Sequence, residues 1–264
     1  MAFSELSFYS KALKTQVSVS VILPEAGKKE SAPGAPGGSY QTIYLLHGLS
    51  GNHTDWMRQS CIERYVSQYG LAAVMPEVGR SWYTDTAGEA AYFTFVTREL
   101  PAVCRSYFRG MSEKREDNFV GGLSMGGYGA MKAALLCPDV FSGCISLSGS
   151  LDITRKRTKP LSLNEWRAIF DFDLQSPLEL EGGENDLFAR AEKNSRENIP
   201  FPCIYMWAGL DDTQLLPNRD FHALLTGLNV PHRYDESEGN HSWKWWDLHI
   251  QDGLSYLHDC GLIR

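Results

Sequence analysis

The chain has 264 residues, 43% apolar and 22% charged, with a net charge of −7. That is the composition of an ordinary globular protein with room for one sizeable core, and its acidic balance argues against nucleic acid or a membrane surface as a general partner. No apolar run approaches the 18 or so residues of a membrane span.

The opening stretch MAFSELSFYSKALKTQ has neither a basic nor an apolar segment of the signal-peptide kind. Six scattered cysteines (Cys61, Cys104, Cys137, Cys144, Cys203, Cys260) form no C-x-x-C pair. They read as reduced, mostly buried thiols, and a cytoplasmic location is expected.

Residues 3–23 alternate and are rich in β-branched side chains, which predicts an opening pair of strands. The Gly/Pro-rich residues 31–39 predict a mobile surface loop. Residues 42–46, TIYLL, are the kind of apolar run that parallel sheets bury on both faces. A helix is expected over 54–69, a strand over 71–75, and a helical stretch over 89–108, kinked or restarted at Pro101. Strand 118–122 leads into a glycine-rich turn and helix 127–136, followed by strand 141–147. After an irregular section come strand 203–207, helix 216–228, strand 232–235 and a terminal helix 243–260. The alternation predicts one α/β domain over residues 1–264, with a mostly parallel sheet covered by helices on both faces. Residues 150–185 break the pattern with a basic cluster at Arg155–Lys159 and one helical stretch over 163–170. The cluster reads as a solvated loop, and the segment as a lid or binding-loop insertion.

Residues 119–130, FVGGLSMGGYGA, place G-x-S-x-G between a buried strand and a helix. The pattern alone is short enough to occur by chance, so context decides. A sharp strand-to-helix turn exposes a serine hydroxyl above the sheet edge, and the close approach of strand and helix leaves no room for side chains at Gly122 and Gly126. Ser124 is therefore the candidate nucleophile. A base must follow, and α/β-hydrolases supply partners in the order Ser, Asp or Glu, His. His241 lies in a loop between the last strand and the last helix, where it can reach the carboxyl edge of the sheet. His222, His249 and His258 fall inside predicted helices and His232 opens a strand, so they read as structural. The acid follows the strand ending at Trp207, where Asp211 and Asp212 are equally placed by spacing. Backbone N–H groups of Leu49 and Met125 are the expected oxyanion donors, with His47 as scaffold. Trp82, Tyr83, Trp243 and Trp56 flank these loops, and the first three are the candidate substrate-binding residues.

The segments LLHGLSGNHTDW (45–56), SWYTD (81–85), ELP (99–101), GLSMGGYG (122–129) and GNHSW (239–243) resemble the esterase D/tributyrin esterase group of α/β-hydrolases. The resemblance spans nearly the whole chain. In that group the acid stands in a Gly-x-x-Asp turn before an Asn-Arg-Asp-Phe-like tail, which Gly209–Asp212 and Asn218–Phe221 match with Asp212 as the acid. The resemblance implies an α/β-hydrolase fold and a serine carboxylesterase of short acyl esters, acetyl to butyryl, with sugar acetates or aryl esters in range. Its alternatives on the same triad are an S-formylglutathione hydrolase-type thioesterase, a feruloyl esterase and an acyltransferase. The cysteine-bearing turn of the formylglutathione enzymes is replaced here by Gly51-Asn52-His53, which counts against the thioesterase. The expected partner is a small-molecule ester, with no metal or organic cofactor. Homo-oligomerisation is left open.

Overall fold

In the computed structural model, side chains of β3 (Thr42–Leu46) alternate between two apolar layers. Ile43 and Leu45 face one, Tyr44 and Leu46 the other, and all four are buried. The period-2 geometry of a strand feeds both layers at once, which is why residues 43–46 are all apolar. The structure describes residues 1–25, 39–154 and 162–264. The Arg155–Lys159 cluster and all of the expected 31–39 loop except Ser39 lie outside the described residues.

Among the described residues eight strands form one sheet, in the order β1-β2-β4-β3-β5-β6-β7-β8. The hairpin β1 (Ala2–Ser10) and β2 (Thr15–Leu23) is antiparallel, and β2 meets β4 (Ala72–Pro76) antiparallel. From β4 onward every pair is parallel, through β3, β5 (Asn118–Leu123), β6 (Gly143–Leu147), β7 (Cys203–Gly209) and β8 (His232–Ser237). All parallel strands thus end at the same edge, where loops can converge.

One face is covered by α1 (Asp55–Gln59) and α2 (Ile62–Gln68), through Trp56, Ile62 and Val66. The last helix of the chain joins them there through Trp246, Ile250 and Leu254. The expected single helix over 54–69 is instead broken, because Ser60 adopts an extended conformation between α1 and α2. On the other face α3 (Tyr92–Thr94) passes through a π-helical turn (Phe95–Glu99) into α4 (Leu100–Tyr107). Pro101 lacks the N–H that a regular ladder would use, and the turn widens just before it. The same face carries α5 (Met125–Leu136), α6 (Leu163–Ile169) with a Ser162/Glu165 capping box, α7 (Leu187–Arg196) and α8 (Leu215–Gly227). The last helix is α9 (Trp243–Asp259). Sequence reading missed α7 inside the irregular section, although Asp186 caps it by accepting from the N–H groups of Phe188 and Ala189. Among the described residues no helix is long and apolar enough to cross a membrane.

Candidate active site

Ser124 sits between β5 and α5 at φ 54°, ψ −119°, a conformation that L-residues rarely adopt. The glycines around it make the turn possible. A Cβ on Gly122 would collide with the Gly126 carbonyl, and one on Gly126 with the Leu46 carbonyl. The strained backbone is pinned by bonds from Ser124 N–H to the Leu147 carbonyl at 3.0 Å, and from Tyr128 N–H and Ser150 N–H to its own carbonyl at 3.0 and 3.1 Å. The side chain is thereby held above the carboxyl edge of the sheet.

Two loops from the same edge complete a hydrogen-bonded line. His241 lies between β8 and α9, with Nε2 2.8 Å from Ser124 Oγ. Its Nδ1 is 2.9 and 3.1 Å from the two oxygens of Asp212. Asp212 follows β7 in a turn closed by its N–H on the Gly209 carbonyl, and one of its oxygens accepts from Gln214 N–H at 2.7 Å. Burial acts to raise this carboxyl. The hydrogen bond and charge of His241, the Ser148 hydroxyl and the Gln214 N–H outweigh it, so its pKa lies below the usual carboxylate value. Asp211, which spacing alone did not separate from Asp212, is exposed and faces a different hollow beside Glu238 and Lys244. Of the other histidines, His222 and His232 bond each other at 2.7 Å and His249 bonds Asp252 at 2.7 Å.

Sequence reasoning missed a supporting pair. Ser148, at φ 48° after β6, accepts from Trp246 Nε1 at 3.0 Å. The Trp246 ring meets the His241 imidazole edge-on, with centroids 4.9 Å apart. Trp243 and Trp246 stand three apart on α9, a spacing that puts both on one helix face, and this was the available signal.

The turn after β3 carries the candidate oxyanion donors. Val78 N–H donates to His47 Nε2 at 3.2 Å, so the ring proton sits on Nδ1, which donates to the Gly48 carbonyl at 2.7 Å. Burial lowers the His47 pKa and keeps the ring neutral, as this double role requires. Trp56 Nε1 donates to the Leu46 carbonyl at 3.2 Å, and the Tyr83 hydroxyl to the His47 carbonyl at 2.8 Å. Leu49 follows directly from this braced turn. Met125 is the first residue of α5, so its N–H has no partner in the helix. Neither N–H donates to another backbone carbonyl among the described residues.

Gly48, Leu49, Ser50, Asp55, Leu123, Ser124, His241, Trp243 and Trp246 line a depression of about 370 Å³. Trp243 therefore faces the site, whereas Trp82 and Tyr83 do not line it. The expectation that they bind substrate is corrected: they are 5% and 1% exposed. Both have φ near +50°, and Trp82 stacks on Trp166 and meets Tyr128 edge-on, while Tyr83 packs against α5 at Gly129. Trp56 is likewise buried. None of the described residues of the 150–185 segment lines the depression; its Trp166 packs into the core instead. Among the described residues no cluster of three or more His, Cys, Asp or Glu is placed to hold a metal ion.

A mostly parallel eight-stranded sheet with a serine elbow, and an Asp–His pair supplied from later loops of the same edge, defines an α/β-hydrolase. Residues 10–257 match the family described as "Putative esterase", and the chain belongs to that family. An acetyl esterase of Caldicellulosiruptor saccharolyticus is 35% identical over 266 residues, covering 97% of this chain and 98% of that one. FphF, a fluorophosphonate-binding serine hydrolase of Staphylococcus aureus, superposes with a TM-score of 0.87 at 30% identity, covering 97% and 98% of the two chains. The S-formylglutathione hydrolase FrmB of the same organism gives 0.84 at 29% identity over the same shares. The protein is a carboxylic ester hydrolase.

Proposed function

We propose that this esterase hydrolyses short-chain acyl esters, acetyl to butyryl, through a covalent acyl-enzyme on Ser124. The observation that carries the reading is the unbroken line from Asp212 through His241 to Ser124 Oγ, at 2.9 and 2.8 Å. His241 takes the serine proton as Oγ attacks the ester carbonyl, and Asp212 fixes the imidazole tautomer and stabilises the imidazolium. The N–H groups of Leu49 and Met125 receive the oxyanion. Loss of one such donor costs about 2.7–4 kcal/mol of barrier in comparable enzymes. The alcohol departs with the proton from His241, and water then repeats the sequence on the acyl group.

The size and lining of the depression support a small acyl group. Its volume of about 370 Å³ is near the low end for ligand pockets, and Trp243 and Trp246 stand against it as rigid walls. The likeness to an acetyl esterase agrees with this. Stopped-flow hydrolysis of p-nitrophenyl acetate tests the acyl-enzyme. A burst of one nitrophenolate per chain is expected, and its absence together with an unmodified Ser124 in acid-quenched protein would remove the covalent route.

The 29% identity to an S-formylglutathione hydrolase supports a second reading, a thioesterase on the same triad. Comparing kcat/KM for S-formylglutathione and for acetyl esters separates the two.

A further inference from the structure

Cys203 opens β7 and Cys260 caps the end of α9, 57 residues later, and their sulfurs lie 2.9 Å apart. Both are free thiols. Cys104, Cys137 and Cys144 are buried, whereas Cys260 is exposed and Cys203 half-buried, so the expectation of mostly buried thiols holds for three of the six. The pair lies in the wall of an open cleft of about 730 Å³, beside Phe201, Pro231 and Tyr256. Ser142, Cys203 and Pro231, at or just before the starts of β6, β7 and β8, all line this cleft. It therefore sits at the edge of the sheet opposite Ser124. The seven residues of β7 separate the two edges by about 20 Å.

We infer that Cys203 and Cys260 are a modification site, a thiol pair that closes into an intramolecular disulfide on reaction with a low-molecular-weight disulfide such as glutathione disulfide. A disulfide holds its sulfurs at about 2.05 Å, and two thiols facing each other at 2.9 Å need only a small approach to reach it. Exposure makes Cys260 the residue that meets the oxidant. Burial, and then the hydrogen bond to Cys260, pushes the Cys203 thiol up to about 12, so Cys203 waits as a thiol for the second step.

In the first step the Cys260 thiolate attacks the small disulfide, forming a mixed disulfide and expelling one small thiolate. Cys203 then gives up its proton and attacks the Cys260 sulfur, expelling the second. The sum is two protein thiols and one small disulfide giving one protein disulfide and two small thiols. Two electrons pass to the oxidant. Excess thiol reverses both steps.

The bond would staple the start of β7 to the end of α9, elements whose other ends adjoin the loops of Asp212 and His241. Closing a loop of this length restricts the unfolded chain. The expected result is a rise in Tm of about 5–10 °C with ester turnover unchanged, because the staple lies far from Ser124.

The test uses the full chain treated with glutathione disulfide, digested without reduction and mapped by mass spectrometry, with Tm measured in parallel. A cross-linked peptide joining Cys203 to Cys260 within one chain is expected. The accompanying Tm rise should be erased by dithiothreitol and absent from Cys260→Ser. Recovery of the two cysteines unlinked, each carrying glutathione, or linked between chains would overturn the inference. So would a Tm that rises equally in Cys260→Ser.

Discussion

The Tyr83 hydroxyl donates to the backbone carbonyl of His47 at 2.8 Å, across 36 residues and wholly inside the core. The bond braces the turn that presents Leu49. An aromatic residue expected to bind substrate thus supports the turn of a candidate oxyanion donor from beneath.

Tyr83→Phe removes that donor and leaves a buried carbonyl unpaired, a loss of about 1–3 kcal/mol of stability. Turnover should fall roughly 3- to 10-fold with KM changed less than about twofold, because the brace acts on the oxyanion rather than on substrate binding. Urea denaturation and steady-state kinetics on a butyryl ester check both numbers. Unchanged kcat in a destabilised variant would confine Tyr83 to packing.

Asp212→Asn should lower kcat by about 10³-fold or more, since only a carboxylate holds the imidazole tautomer and stabilises its cation. Asp211→Asn should stay within about threefold of wild type, because Asp211 is exposed in a separate hollow. Similar losses in the two variants would break the assignment.

His47 gives the fold a dependence on pH. Burial keeps its folded pKa below the ordinary value of about 6.5, so the unfolded chain takes up the proton first as pH falls. Its contribution to stability is complete above about 6.5 and is lost as pH drops below that value toward the folded pKa. Tm should therefore fall between pH 7 and pH 5, with a free-energy slope from this group of at most about 1.36 kcal/mol per pH unit. His47→Gln should lower Tm at pH 7.5 yet flatten the slope, and parallel Tm curves for the two proteins would contradict this.

Chain length of the acyl group reports the depth of the site. An open pocket would add about 0.8 kcal/mol per buried methylene, so kcat/KM would climb steadily with length. With Trp243 and Trp246 against the depression it should peak by four carbons and then fall. Octanoyl esters outrunning butyryl esters would show an opening beyond these rings.

The placements that were legible in the sequence are those that rest on local geometry. Ser124 declared itself through glycines that the strand–turn–helix approach requires, and β3 through an apolar run that feeds two layers. His241 and Asp212 were readable because they occupy loops after the last strands in a fixed order, although choosing Asp212 over Asp211 needed a family pattern beyond spacing. Trp82 and Tyr83 misled because nearness in sequence to a site loop says nothing of which way a side chain turns. Both have left-handed backbone, and both rings are buried in the core. Ser148 and Trp246 were missed for the converse reason, being 98 residues apart and joined only by the fold. The helix α7 was lost among turn residues, although its Asp186 cap was in plain view.

The proposed mechanism makes Ser124 the nucleophile, activated through His241 and Asp212. Its most direct test pairs a fluorophosphonate probe with Ser124→Ala in one experiment. One adduct per wild-type chain is expected, located on Ser124 by peptide mapping. No adduct is expected on a folded Ser124→Ala variant whose ester turnover is down by several orders of magnitude. A folded variant that keeps more than roughly a tenth of wild-type turnover, or an adduct on another residue, would contradict it.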